Sequence, residues 1–170
     1  AASIDRLIRE HGNRILITIG GTDEYHSTCL ILEAIRWLDR VDMTLKVVLA
    51  AGFSRELSNQ VKSICADLPM TAQVISGAVS MADEMLWADL AITGDGITKY
   101  ETAATGTPSI VISRPESNES FNLAFESAGS MKFVGQCTHL SRETLANEIK
   151  NLIDNLEQRR IMSANGKLLV

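Results

Sequence analysis

The sequence predicts an α/β fold, a doubly wound six-stranded parallel sheet with helices on both faces. Three observations carry this expectation. Short apolar runs alternate with helix-like stretches from Arg14 onward almost without interruption, and such alternation with short connections builds right-handed βαβ units. The run Ser109-Ile110-Val111-Ile112 is short, continuous and β-branched, as a strand covered on both faces should be. Two glycine turns, Gly20-Gly21-Thr22-Asp23 and Gly94-Asp95-Gly96-Ile97-Thr98, each follow an apolar run and precede a helical stretch. A strand, a glycine turn and a helix together aim backbone N–H groups and a positive helix end at one point, which is an anion site.

Taken in order, strands are expected over 14–19, 45–50, 72–75, 90–93, 109–112 and 132–134. The first contains the apolar stretch Ile15 to Ile19 and the fourth Leu90 to Ile92. Helices are expected over 25–39, 54–67, 80–88, 98–106, 116–128 and 141–165. The last rests on Leu145, Ile149, Leu152, Ile153 and Leu156, which recur at helical spacing with charge between them. Residues 1–12 read as a helical lead-in. If the strands order 3-2-1-4-5-6, strands one and four lie side by side at the topological switch. Both glycine turns then face the crevice where such sheets bind ligands.

A chain of 170 residues is expected to form one domain with a proper core. Apolar residues at 45% and charged residues at 22% fit a soluble globular protein. Neither a span-length apolar run nor a signal-peptide pattern is visible, so the expected location is the cytoplasm. The net charge of -5, without a Lys/Arg run, argues against nucleic acid as a partner. It leaves a nucleotide open, because glycine turns hold phosphate through backbone dipoles. Cys29, Cys65 and Cys137 are odd in number and show no C-x-x-C, which reads as buried free thiols. The apolar ending Lys167-Leu168-Leu169-Val170 carries no stop signal, and the expectation is a piece of a longer chain.

The motifs need weighing one by one. Gly94-Asp95-Gly96 is not a dinucleotide fingerprint, since Lys99 stands where a third glycine is needed. No Walker A sequence is present. Either glycine turn by itself serves equally well as a tight strand–helix connection. Thr98-Lys99-Tyr100-Glu101 fits a capping box, yet a carboxylate there also suits the two hydroxyls of a ribose, and both readings stand open. Thr22 and Asp23 are default caps for the first helix. His26 reads as a surface residue just inside that helix, with phosphate contact as the alternative, while His11 and His139 join no constellation. Met81 and Met85 should pack against the sheet, with Ser80 and Asp83 as a cap. Asp83, Glu84 and Asp89 lack metal-ligand spacing. Asn118 and Glu119 follow strand five at the ligand edge, where turn residues and sugar contacts are both plausible roles.

Four stretches together resemble a known family: Gly20 to Asp23, Met81 with Trp87-Ala88-Asp89-Leu90-Ala91-Ile92, Gly94 to Glu101, and Ala103-Ala104-Thr105-Gly106-Thr107-Pro108. The pattern resembles the C-terminal half of GT-B nucleotide-sugar enzymes of the glycosyltransferase family 28 type, from about Arg14 to Gly166. That group includes the lipid II-forming N-acetylglucosaminyl transferase and the UDP-sugar hydrolase of the pseudaminic acid pathway. The opening Gly-Gly-Thr-Asp is nearer to the hydrolase and its spore-coat polysaccharide relatives. The resemblance implies a Rossmann-like half of a GT-B fold, a UDP-linked sugar as substrate, and no cofactor or catalytic metal. It implies that Gly20, Gly21 and Thr22 meet the diphosphate and that Gly94, Asp95, Gly96 and Thr98 line its other side. The Ala78 backbone would pair with uracil beside Met81, and Glu101 would hold the ribose. Asn118-Glu119 matches a sugar-binding pair that is usually Asn-Gln or Gln-Gln, a departure that bears on the sugar. The family's catalytic group belongs to an N-terminal domain that these residues do not supply. Hydrolase, transferase, epimerase half and non-catalytic nucleotide-binding module therefore all remain open at this stage.

Overall fold

The computed structural model describes residues 6–77 and 80–170. Its strands are β1 (Arg14–Thr18), β2 (Thr44–Leu49), β3 (Thr71–Ser76), β4 (Leu90–Gly94), β5 (Ser109–Ser113) and β6 (Lys132–Gln136). Between and after them run α1 (Ser27–Trp37), α2 (Arg55–Ala66), α3 (Met81–Trp87), α4 (Thr98–Thr105), α5 (Ser120–Ser127), α6 (Arg142–Asp154) and α7 (Leu156–Leu169). The strands form one six-stranded sheet in the order β3-β2-β1-β4-β5-β6, and every pairing is parallel. This is the doubly wound arrangement expected from the alternation of elements.

Period-two alternation sorts the two faces of the sheet. Ile15, Ile17, Leu90, Ile92, Ile110 and Ile112 join one core with buried residues of α1, α2 and α6. The neighbours between them turn the other way: Leu16 and Ala91 pack with Met85 and Ala88, and Val111 packs with Met131 and Phe133. Central strands with apolar side chains on both faces need cover on both faces, which explains their continuous hydrophobic reading. Ser80 caps α3 by accepting the Asp83 N–H at 3.4 Å, as expected, and Met85 is fully buried. Cys29, Cys65 and Cys137 are free and buried, and burial pushes the Cys29 and Cys65 thiols up to about 11. Among the described residues, no helix is long and apolar enough to cross a membrane.

Three expected boundaries are corrected. Residues 6–12 are not helical. The Arg9 and Glu10 carbonyls accept from Arg159 Nη2 at 2.9 and 2.8 Å. The single helix expected over 141–165 is two helices that meet at Asn155, whose backbone is not helical (φ -114°, ψ 89°). Asn155 starts α7 by accepting the Gln158 N–H at 2.9 Å, while Arg159 Nη1 takes the end carbonyls of α6, Leu152 and Ile153, at 2.6 Å each. The break thus satisfies both helix ends. The helix expected over 116–128 begins only at Ser120, after Asn118 Oδ1 has accepted the Ser120 N–H at 3.1 Å.

Arg159 is fully buried, and burial lowers its pKa. Its guanidinium ties the end of α6 to the segment that enters β1. Next to it, Arg9 pairs with the buried Asp89 at 2.9 Å. The other Asp89 oxygen accepts the Arg14 N–H at 3.0 Å, at the start of β1. Arg6 donates to the Met85 and Ala88 carbonyls and to the Thr107 hydroxyl. The amino edge of the sheet is therefore held by charged side chains satisfied mainly by backbone carbonyls.

Arg159→Ala is expected to lower the unfolding free energy by roughly 3 kcal/mol or more, because four carbonyls, two in buried bonds and two in part-buried ones, lose a charged donor at once. Urea denaturation measures it. A loss below about 1 kcal/mol would show that water replaces the guanidinium without cost.

Candidate functional site

The site starts from how closely two strands end beside one another. β1 and β4 pair up to Thr18 opposite Thr93, so both glycine turns leave from the same carboxyl edge. A Cβ at position 94 would lie 2.6 Å from the Ile19 carbonyl oxygen, a distance that real side chains do not tolerate. On the other strand, Gly20 and Gly21 have φ values of 74° and 51°, which a side chain would strain. Glycine is required on both sides for different reasons, close approach on one and left-handed backbone on the other.

Two cavities open at this edge. The first, of about 460 Å³, lies between Gly20-Gly21-Thr22-Asp23 and Gly94-Asp95-Gly96 with Thr98, and Arg114 and Glu116 after β5 complete its wall. The second, of about 510 Å³, shares Gly20 and Thr98 and runs over the end of β2 toward Gly77 and Met81. Gly20, Gly21, Thr22, Asp23, Met81, Gly94, Asp95, Gly96 and Thr98 are thus brought together around two adjoining spaces. Ala78 lies outside the described residues. Glu101, Asn118 and Glu119 lie near this edge but line neither cavity. Among the described residues no group of His, Cys, Asp and Glu is placed to hold a metal ion.

The two helix N-termini facing the edge are treated differently. At α1 the buried Asp23 carboxylate accepts the Ser27 and Thr28 N–H groups at 2.8 and 2.9 Å. This supports the cap reading of Asp23 and places an anion of the chain's own at that helix end. Thr22 does not cap; its hydroxyl lies 3.3 Å from a Glu24 carboxylate oxygen. His26 is corrected too: it precedes the helix, with φ 55°, rather than lying inside it. At α4 no side chain caps the N-terminus. The capping box is not formed, because Ile97 occupies the cap position with helical backbone and Thr98 is already the first helical residue. That leaves the α4 end as the open positive pole beside the first cavity.

Several residues here were not singled out from the sequence. Tyr25 and Glu116 both line the first cavity, and the Tyr25 hydroxyl donates to the Glu116 carboxylate, joining the β1–α1 and β5–α5 loops. That bond raises the Tyr25 pKa and lowers that of Glu116. Arg114 is the one cation on this cavity's wall among the described residues. The available signal was position: in a parallel sheet every loop that follows a strand falls at the same edge. Glu119 accepts the Ser113 hydroxyl at 3.0 Å, which anchors the start of α5 to the end of β5.

Comparison with known proteins agrees with this geometry. Residues 14–168 match the family described as the glycosyltransferase family 28 C-terminal domain. The chain belongs to that family. The spore coat polysaccharide biosynthesis protein SpsG of Bacillus subtilis is 26% identical over 172 residues, covering 100% of this chain and 50% of SpsG. Among solved structures, MurG of Acinetobacter baumannii superposes with a TM-score of 0.75 at 20% identity, covering 94% of this chain and 46% of MurG. Anabaena Alr3699/HepE in complex with UDP-glucose gives a TM-score of 0.72 at 13% identity, covering 91% of this chain and 43% of that one. The chain spans about half the length of these relatives. The structural likeness establishes the Rossmann-like half of a GT-B fold.

Removing the two bonds of Asp23 should show in stability, and altering Glu101 should not. Asp23→Ala is expected to cost about 0.5–2 kcal/mol, the range for losing a helix N-cap. Glu101→Ala, which removes the acceptor that a capping box would need, should leave the melting temperature unchanged within error, since the α4 cap does not use it. Thermal unfolding of both variants without ligand checks the pair of expectations, and the reverse ranking would reinstate the capping box.

Proposed function

We propose that the chain is the nucleotide-sugar-binding half of a UDP-sugar hydrolase or glycosyltransferase that acts in surface polysaccharide or nonulosonate biosynthesis. The observation that carries this reading is the uncapped N-terminus of α4, which opens beside two glycine turns at the topological switch of the sheet. Backbone N–H groups gathered there suit a diphosphate. In this assignment Gly20, Gly21 and Thr22 flank the diphosphate on one side, and Gly94, Asp95, Gly96 and Thr98 flank it on the other. The second cavity, toward Gly77 and Met81, suits a flat nucleobase. Glu101, exposed in the first turn of α4, is assigned to the ribose hydroxyls. Asn118 and Glu119 are assigned to the sugar, from the loop that follows β5.

The chemistry fits a displacement at the anomeric or glycosyl phosphate centre. Negative charge grows on the departing diphosphate, and a helix N-terminus with oriented backbone dipoles stabilises it without reorganising. The acceptor is water in the hydrolase reading and a hydroxyl in the transferase reading. The group that activates it is assigned to an N-terminal domain of the same protein, facing this one across the cleft. The relatives support the reading: one is a spore coat polysaccharide biosynthesis protein, and one was solved in complex with UDP-glucose. The Gly-Gly-Thr-Asp turn favours the hydrolase of the two.

Calorimetry with UDP tests the proposal. The chain should bind UDP and release no sugar from UDP-sugars, because the opposing wall that orients the acceptor is supplied from elsewhere. Glu101→Gln should weaken UDP by roughly tenfold or more, since hydrogen bonds to a charged acceptor are worth about 1.5–3 kcal/mol. The same variant should discriminate less between ribose and 2′-deoxyribose nucleotides. No measurable binding of UDP, or fast turnover by this chain alone, would overturn the assignment.

A further inference from the structure

The first cavity carries an electrostatic contradiction. Among the described residues four carboxylates line it, Asp23, Glu24, Asp95 and Glu116, against the single cation Arg114. An anionic ligand would meet an adverse field unless the carboxylates are compensated. Three of them face neutral donors: the helix N–H groups for Asp23, the Thr22 hydroxyl for Glu24 and the Tyr25 hydroxyl for Glu116.

Asp95, inside the second glycine turn itself, also faces a neutral donor, but one that is bonded in turn to a buried ammonium. Its Oδ2 lies 3.5 Å from Asn122 Nδ2, and Asn122 Oδ1 accepts a 2.8 Å bond from the Lys99 ammonium. Asn122 is 0% exposed and Lys99 6%, so the ammonium end of this chain of contacts is shielded from water, while Asp95 is half-buried on the cavity wall. The ammonium occupies an unfavourable place on two counts. It is removed from water, and it belongs to the second residue of α4, at the helix end where the dipole opposes a cation. Its near partners are an amide oxygen and the Tyr100 ring, 5.4 Å to the centroid. Burial lowers the Lys99 pKa, and Asp95 acts against that. A methionine would fill the same volume without the charge, so the charge itself requires a reason.

We propose that Lys99 is a positioning residue of the nucleotide-sugar site: through Asn122 it keeps Asp95 oriented and charge-compensated, so that the uncapped α4 end can accept a diphosphate. This deepens the function proposed above and rests on it. Lys99 does not touch the ligand, and no covalent step is involved. The ammonium and the Asp95 carboxylate form a neutral pair bridged by Asn122, with the proton staying on Lys99. Without the ammonium, a bare carboxylate in the turn would repel the ligand that the turn's backbone attracts. The effect is confined to ligands with phosphate charge and should be absent for a nucleoside.

A double-mutant cycle on the 170-residue chain tests this, with UDP and uridine as probes in calorimetry at low ionic strength. Lys99→Met should weaken UDP by about tenfold or more while uridine changes by less than about twofold. In the Asp95→Asn background, where the carboxylate to be compensated is gone, the same Lys99→Met substitution should change UDP affinity by less than about threefold, whatever Asp95→Asn costs by itself. If Lys99→Met does not fold, Lys99→Gln runs the same cycle, since its amide can still donate toward Asn122 but carries no charge. Equal losses for UDP and uridine, or an undiminished loss in the Asp95→Asn background, would reduce Lys99 to a packing residue and overturn the inference. UDP binding that ignores Lys99→Met overturns this inference alone. A wild-type chain that binds neither UDP nor inorganic pyrophosphate overturns the functional reading with it.

Discussion

The ligand edge depends on how near β1 and β4 come to each other at their ends. Their pairing makes the centre of the sheet, and beyond Thr18 and Thr93 the chains separate only by turning sharply. The space at Gly94 is set by the Ile19 carbonyl, 2.6 Å from where a Cβ would stand. Any side chain there would push the strands apart or shift the turn, and either change moves the N-terminus of α4. The cavities, the open helix end and the placement of Asp95 all follow from that one contact.

The opposite edge is built on a different principle. Arg6, Arg9, Asp89 and Arg159 are half or wholly buried there, and their hydrogen bonds go largely to backbone carbonyls and to one N–H. These bonds fix the entry to β1 and the turn between α6 and α7. From that turn α7 runs against α4, so the amino-edge clamp also sets where the open helix end lies. Stability is concentrated at one end of the sheet, and exposed backbone dipoles at the other. Charged side chains are costly to bury and are kept where carbonyls can satisfy them.

The two helix N-termini at the ligand edge illustrate the same economy of anions. At α1 the positive pole is occupied by Asp23, part of the chain. At α4 it is left open, and the neighbouring Asp95 faces the buried Lys99 through Asn122. Placing the compensating charge beneath the turn, rather than on its surface, leaves the backbone N–H groups accessible while the field above them stays favourable.

The residues alone determined the sheet order, the shared edge of the glycine turns and the family. Each of these rests on signals repeated along short windows: apolar period, strand–turn–helix order and the Gly94 to Pro108 pattern. The same windows misread residues 6–12 and missed the break at Asn155. There, backbone groups are taken by Arg159, 149 positions from Glu10 in one contact, and hydrophobic spacing carries no trace of such a partner. The capping box failed for a more local reason. Its residue types fit at Thr98 and Glu101, but the close strand ends start the helix at that threonine, with Ile97 as the cap. Tyr25 with Glu116, and Lys99 with Asn122, are separated by 91 and 23 residues. Only the tertiary structure decided them, because a hydrogen bond between side chains depends on where two backbones have been brought, and sequence periodicity reports each backbone separately.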